Sequence, residues 1–230
     1  MKKYILSIVA LISSLFSYSQ SNLYTWMDIM IEIETAHTDV AIDQIIDFYD
    51  NVDVPDDVNI ELSSLTFRGP SNPSTHVLTM YSESTKSLAD FRTGKTYNGD
   101  SWDAYISKMR RYTKAYSMAG KSIISNGSDS QFPVGQSWVF NVKDIQGFTQ
   151  AFSELIKTAK TEGIAELGQI IHGVEKGGNI YIWGTYPDLA TALDFGPKNN
   201  KEVKAFSEYF KAIENEEYIE STTRVLIKRW

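Results

Sequence analysis

The sequence contains no cysteine, so disulfide bonds, thiolate nucleophiles and cysteine metal ligands are all excluded. It has three histidines, so any histidine-based catalysis or metal binding must use His37, His76 or His172. Basic residues are also scarce, because 22 lysines and arginines stand against 29 acidic residues for a net charge of −7. Nucleic acids and anionic membranes attract basic surfaces, so neither is predicted as the main partner.

An apolar run, Tyr4 to Phe16, stands at the N terminus behind two lysines. It is too short to span a bilayer comfortably. The small residues of Ser17-Tyr18-Ser19 follow it, as signal peptidase requires. We therefore expect residues 1–19 to be a secretory signal peptide cleaved before Gln20. The mature protein is then secreted or periplasmic, without stable membrane insertion. A retained N-terminal anchor is the alternative.

The chain is otherwise rich enough in apolar residues to form a sizeable core. Of its 230 residues, 42% are hydrophobic and 13% are aromatic, which fits one large or two small domains. An aromatic content this high suggests large side chains that fill an interior or line a cavity.

Two stretches of the chain, Glu61 to Phe91 and Glu166 to Phe195, repeat one pattern. Each reads as a strand, a tight turn, a second strand and a short helix, and their first residues are matched glutamates. Ser84 and Asp188 stand at matching positions where a helix N-cap is expected. The repeat period is about 105 residues, longer than solenoid periods of about 20–50 residues, so the pattern favours duplicated domains.

The order of predicted elements is the same in both halves: strand, helix, strand, strand, helix, strand. This is the ferredoxin-like order, and it predicts an α+β fold with residues 20–130 and 131–230 as the two repeats. In the first repeat we expect a long helix from Ser101 to Tyr116 and a closing strand from Lys121 to Ser125. Helices on one face of each sheet leave the other face uncovered, so the two repeats are expected to pack sheet to sheet.

With this element order, the extra short helices Ser84–Phe91 and Asp188–Phe195, and the duplication, the chain resembles the dimeric α+β barrel superfamily. That superfamily includes the antibiotic biosynthesis monooxygenase-like and stress-responsive barrel domains. The resemblance covers residues 24–230 and implies an intrachain barrel. In some of these families a histidine binds haem or acts on substrate. Their motifs do not match this chain residue by residue, so no role is transferred and no cofactor is predicted.

The central hairpin of the second repeat carries the candidate binding residues. By strand alternation His172 shares a face with Ile170, and the matching position in the first repeat is Phe67, which indicates a packed site. His172 is therefore either structural or a polar group of a cavity. The predicted cavity wall combines it with aromatic residues of the adjoining and first strands: His172, Tyr181, Trp183, Trp138 and Trp26. Glu61 and Glu166 are a candidate carboxylate pair whose separation the sequence does not give.

Three functions remain open from sequence. The favoured one is the binding of a small apolar or aromatic molecule in a barrel cavity. The second is a cofactor-independent oxygenase or isomerase, which requires a polar group in a perturbed environment inside that cavity. The third is a structural or interaction module, which requires an exposed apolar patch. The sequence leaves the oligomeric state open.

Overall fold

A computed structural model describes residues 23–94, 99–127, 131–159, 161–173 and 177–230. The predicted signal peptide, residues 1–19, lies outside these ranges. Among the helices within them, none has the length and apolar character needed to cross a lipid bilayer.

The described part of the first half contains four strands, three α-helices and a short 3-10 helix, Thr35–His37. Its elements are β1 (Thr25–Ile33), α1 (Thr38–Asp50), β2 (Asn59–Phe67), β3 (His76–Ser82), α2 (Thr85–Arg92), α3 (Gly99–Met109) and β4 (Thr113–Asn126). The predicted cap at Ser84 is confirmed, because its hydroxyl oxygen accepts from the backbone N–H of Ser87 at 3.1 Å.

The second half repeats this order. Its elements are β5 (Val134–Asn141), α4 (Ile145–Thr158), β6 (Ala165–His172), β7 (Ile180–Tyr186), α5 (Leu189–Leu193), α6 (Asn200–Ala212) and β8 (Glu217–Arg229). The predicted cap at Asp188 is confirmed as well, because its carboxylate accepts from the backbone N–H of Thr191 at 2.7 Å. The predicted boundary between residues 130 and 131 adjoins residues 128–130, which lie outside the described ranges.

All eight strands form one closed antiparallel barrel in the order β1-β3-β2-β8-β5-β7-β6-β4. Each half supplies four neighbouring strands in the ferredoxin-like order. The halves are joined where β2 pairs with β8 and where β4 pairs with β6. The predicted α+β fold, an intrachain dimeric α+β barrel, is confirmed. Alternate residues of every strand point into the barrel.

Strand pairing also confirms the alignment of the two repeats. Glu61 of β2 lies opposite Thr79 of β3, and Glu166 of β6 lies opposite Trp183 of β7. Positions that match in sequence therefore occupy the same place in the two hairpins, and the halves can be compared residue by residue.

The helix predicted from Ser101 to Tyr116 was wrong beyond Met109. The chain turns there and enters β4, which begins at Thr113 and is much longer than the predicted strand from Lys121 to Ser125. Tyr116 fits the spacing of the predicted helix, but it also fits a strand, in which it shares one face with Met118. Pairing of β4 with both β1 and β6 decides in favour of the strand.

The helices cover the outside of the barrel and form one apolar core in each half. In the first half Ile45, Leu88 and Phe91 are fully buried against β2 and β3 residues. In the second half Phe152 and Phe206 pack in the same core as strand residues such as Leu167. Because these cores lie between the helices and the barrel wall, the barrel interior is free to form a separate cavity.

Candidate functional site

The barrel encloses a cavity of about 180 Å³. For comparison, an engineered apolar cavity of about 150 Å³ binds benzene, so this interior has room for an aromatic ring. Every strand contributes to its wall, with aromatic and aliphatic side chains interrupted by a few charged ones. This is the composition expected of a site for a small organic molecule.

Two tryptophans enter the cavity at places where glycines leave room for their rings. A Cβ at Gly135 would lie 1.8 Å from Cη2 of Trp183, and a Cβ at Gly120 would lie 2.5 Å from Cζ2 of Trp26. Ordinary carbon–carbon contact is about 3.5–4.0 Å, so any larger residue would displace either ring. Glycine inside a strand weakens the strand, and here it makes space for an indole instead.

Trp26, Tyr181 and Glu166 form a hydrogen-bonded chain. The indole Nε1–H of Trp26 donates to the hydroxyl of Tyr181 at 2.8 Å, and that hydroxyl donates to Oε1 of Glu166 at 2.5 Å. Gly168 on β6 makes room for the tyrosine, because a Cβ there would lie 2.3 Å from the hydroxyl oxygen. The chain fixes the position of the carboxyl group in the wall.

Glu166 is buried, with 8% of its surface exposed, although it lines the cavity. Burial raises the pKa of its carboxyl group, and hydrogen bonds from Tyr181 and Ser122 and the charge of Arg224 act in the opposite direction. Burial also raises the pKa of Tyr181 well above its ordinary value, so this residue remains a hydroxyl donor.

A second polar group lies around Arg224 of β8. Its Nη1 donates to the hydroxyl of Thr79 at 2.7 Å and lies 3.5 Å from Oδ2 of Asp28. Its guanidinium carbon stands 4.0 Å from the ring centroid of Trp183, which is a cation–π arrangement. Arg224 thereby connects the wall of the first half with the aromatic wall of the second.

The two matched glutamates have different partners. Glu61 accepts hydrogen bonds from Nε of Arg229 at 2.9 Å and from the hydroxyl of Tyr81 at 3.1 Å, and Nη2 of Arg229 lies 2.9 Å from its Oε1. Glu166 has hydroxyl donors instead of an arginine within hydrogen-bonding distance. Glu61 is therefore in an ion pair with Arg229, whereas burial raises the pKa of the Glu166 carboxyl group.

The structure brings together three of the five residues predicted for the cavity wall: Trp26, Tyr181 and Trp183. The prediction of a shared wall was wrong for His172 and Trp138. His172 is exposed, because an extra residue at the β4–β6 register shift ends the alternation that placed it with Ile170. It is therefore neither a cavity group nor a buried structural histidine.

Trp138 lies one position out of phase with its neighbours Ser137 and Val139, which do line the cavity. Its ring packs 5.2 Å from the ring of Phe195, outside the barrel. Ligand binding by the three remaining aromatic residues stays a prediction.

Asp28, Thr79 and Arg224 were missed from sequence. Arg224 stands in an alternating strand in which Thr222 and Leu226 face the same way, but Lys228 and Arg229 follow closely and offered no reason to single it out. Gly168, inside the predicted hairpin, was the signal that could have located the wall, because glycine in a strand often marks a close approach by a large side chain. Gly120 lies just outside the predicted strand Lys121–Ser125.

None of the three histidines lies in the cavity wall. His37 contacts Glu34 at 3.1 Å, His76 is buried beside Thr75, and His172 is exposed. Within the described ranges, no group of three or more histidine and acidic side chains is arranged to hold a metal ion. The described part of the cavity wall thus offers no histidine to a haem.

Comparison with known proteins finds similar solved structures. A proposed monooxygenase from Fusobacterium nucleatum subsp. nucleatum matches with a TM-score of 0.62 and 11% identity, over 91% of this chain and 94% of that one. A proposed monooxygenase from Lactobacillus acidophilus NCFM matches with 0.61 and 13%, over 91% and 96%. An anthrone oxidase-like protein matches with 0.59 and 11%, over 92% and 94%. No protein-family model and no curated protein matches the chain. The closed barrel and these likenesses together identify the fold as that of the dimeric α+β barrel proteins.

Proposed function

We propose that the protein binds a small aromatic molecule in the barrel and transfers a proton to or from it through Glu166, as a cofactor-independent oxygenase or isomerase. The observation that carries the proposal is the placement of this carboxyl group. It faces the cavity, it is buried, and its pKa is raised. This is the perturbed polar group that the enzyme alternative requires.

A raised pKa suits Glu166 to proton transfer. A carboxyl group whose pKa lies closer to neutral pH can take a proton and return it within one catalytic cycle. Tyr181 donates a hydrogen bond to the carboxyl group and Trp26 donates one to Tyr181, so the carboxyl group is held in place. Asp28 and Glu61 each have an arginine nearby and are less suited to the role.

The names of the similar structures favour the oxygenase form of this proposal. In that form Glu166 removes a proton from an activated methylene group of the substrate, and the carbanion reacts with dioxygen. The carbon loses two C–H bonds and gains a C=O bond, and the second oxygen atom leaves as water. Dioxygen is the only oxidant, and the substrate supplies all the electrons.

Two probes with activated methylene groups, anthrone and 2-indanone, test the proposal. Oxygen uptake is measured in air, and deuterium incorporation at the methylene carbon is measured under nitrogen. The wild-type protein should accelerate exchange of at least one probe above the buffer rate. Glu166→Gln should lower that acceleration by about 10²–10⁴-fold, the usual contribution of a positioned acid or base.

His172→Phe is the matched control, because this residue is exposed and lies outside the cavity wall. Its rates should equal those of the wild type. Exchange without oxygen uptake would select the isomerase form. Equal rates in wild type and Glu166→Gln, or no acceleration of either probe, would overturn the assignment of proton transfer to Glu166.

We also propose that the protein is exported. The support is the pair of lysines, the apolar run from Tyr4 to Phe16 and the small residues before Gln20. Mass spectrometry of protein from its native host should find an N terminus near Gln20. A cytosolic protein that retains Met1 would contradict the proposal.

The interaction alternative has weaker support. Leu193, Val203 and Phe210 are exposed on the outside of the second half, with 62%, 51% and 59% of their surfaces accessible. Exposed apolar side chains favour contacts with other proteins. Nothing in the described ranges indicates what would cover them, whereas the cavity offers a defined chemical group.

A further inference from the structure

We propose that Arg224 binds a carboxylate group of the ligand, so that the substrates of the barrel are small aromatic acids. This inference deepens the proposed function, because it rests on ligand binding in the same cavity. It adds the chemical class of the substrate and a residue that selects it.

The contacts of Arg224 leave much of its hydrogen-bonding capacity unused. Its side chain is 15% exposed, and it lines the cavity. Within the described ranges it hydrogen-bonds through Nη1 alone, to Thr79. An arginine side chain has five N–H donors, and its planar fork matches a carboxylate in bidentate geometry. The remaining donors are available to a ligand in the cavity.

Asp28 compensates this charge only loosely. Its Oδ1 accepts from the hydroxyl of Thr79 at 2.6 Å, and its Oδ2 lies 3.5 Å from Nη1 of Arg224. The other arginine near the barrel interior differs, because Nε and Nη2 of Arg229 both contact Glu61 at 2.9 Å. Arg229 is therefore in a close two-atom ion pair with Glu61, whereas Arg224 has only a loose ion pair with Asp28 and is called open below.

The guanidinium group of Arg224 is held in place before any ligand arrives. It stacks 4.0 Å from the ring centroid of Trp183, and Gly135 provides the space that this ring needs. Fixing a flexible side chain in advance lowers the entropy cost of binding. One face of the indole positions the arginine, and the neighbouring aromatic wall is left for the ring of the ligand.

The barrel itself does not require an arginine at this position. Arg224 lies opposite Gly135, and the equivalent pair in the first half is Gly120 opposite Trp26. The strand at the position equivalent to Arg224 thus forms with a glycine, Gly120. The arginine belongs to one half only, which favours a role in binding over a role in folding.

The cavity wall carries one cation. Arg224 is the cationic side chain among the described residues that line the cavity, and the acidic ones are Asp28, Glu61, Glu166 and Glu220. Glu61 is paired with Arg229, and Asp28 lies 3.5 Å from Arg224. A monoanion matches this single open arginine, and the aromatic wall matches a ring.

Benzoate and its neutral isostere benzamide are the probes. Their affinities are measured by isothermal titration calorimetry on the full-length mature protein. Wild type should bind benzoate more tightly than benzamide. Arg224→Met should weaken benzoate binding by about 10–100-fold, the usual effect of losing hydrogen bonds to a charged group, and leave benzamide binding nearly unchanged. Asp28→Asn should strengthen benzoate binding severalfold, because it removes the competing carboxylate.

The single variant Arg224→Met leaves the Asp28 carboxylate buried without its cation, which can prevent folding. The double variant Asp28→Asn with Arg224→Met removes both charges and therefore serves as the test if the single variant does not fold. It should also lose the preference for benzoate. His172→Phe is the control and should bind both probes as the wild type does. Equal affinity of wild type for the two probes, or an unchanged preference after loss of Arg224, would overturn the inference. Glu166→Gln should still prefer benzoate, so failure of the proton-transfer proposal is distinguishable from failure of this one.

Discussion

Replacing Gly135 by alanine tests the close packing on which the cavity wall depends. The added methyl carbon would lie 1.8 Å from Cη2 of Trp183. The ring would have to retreat by about 2 Å to reach ordinary carbon–carbon contact. Overpacking of this kind usually costs about 1–3 kcal/mol. Because Gly135 has no left-handed φ, alanine also gains about 0.4–1 kcal/mol from reduced freedom of the unfolded chain.

The clash should outweigh that gain, and the net loss of unfolding free energy should be up to about 2.5 kcal/mol. For a chain of this size each kcal/mol lowers the melting temperature by about 2–4 °C. Gly99→Ala is the matched control, because a Cβ there has nothing within 4 Å. Calorimetry should therefore show a lower melting temperature for Gly135→Ala and an unchanged or slightly higher one for Gly99→Ala. Tryptophan fluorescence should also change in Gly135→Ala alone. Equal melting temperatures and spectra would refute the reasoning.

Two further predictions concern pH dependence and the shared barrel. Burial raises the pKa of Glu166 above its ordinary value of 4.5, so its stabilising contribution is fully present below that pH and is lost as pH rises through the folded-state pKa. Urea unfolding should therefore show that the unfolding free energy of Glu166→Gln rises relative to that of the wild type between acidic and neutral pH. A difference in unfolding free energy that does not change with pH would contradict this. Residues 20–130 and 131–230 expressed separately should aggregate, self-pair or bind each other, because each leaves strands of the barrel unpaired. Two independent monomers with sharp unfolding transitions in ultracentrifugation and calorimetry would contradict the shared barrel.

The fold could be predicted from sequence because the same order of strands and helices occurs in both repeats. The alignment of the two hairpins that starts at Glu61 and Glu166 agrees with the observed strand pairing. It could be found from sequence because strand alternation and turn residues are local properties. The error at Tyr116 arose where helical and alternating spacing coincide. Only pairing with two neighbouring strands decides between them, and that information is not local.

The site was harder to predict, because the strand register decides whether a side chain points into the barrel or out of it. A single extra residue next to Ile170 turned His172 from the predicted interior to the surface. Arg224 was missed for a different reason, because it alternates regularly with Thr222 and Leu226 but lies close to other basic residues that gave no reason to single it out. Alternation located Trp26, Tyr181 and Trp183 correctly, because β1 pairs with β3 and β4, and β7 pairs with β5 and β6, without a register shift.

Fusion of the two repeats in one chain permits a barrel that two identical subunits could not form. In a symmetric homodimer every substitution appears twice, so an arginine at the position of Arg224 would also replace Gly120. Its Cβ alone would lie within 2.5 Å of the Trp26 ring, and the Trp26–Tyr181–Glu166 chain would lose its first member. A single gene encoding both halves allows Gly120 in the first half and Arg224 at the equivalent position of the second. Selection can then adjust the two walls independently within one interior.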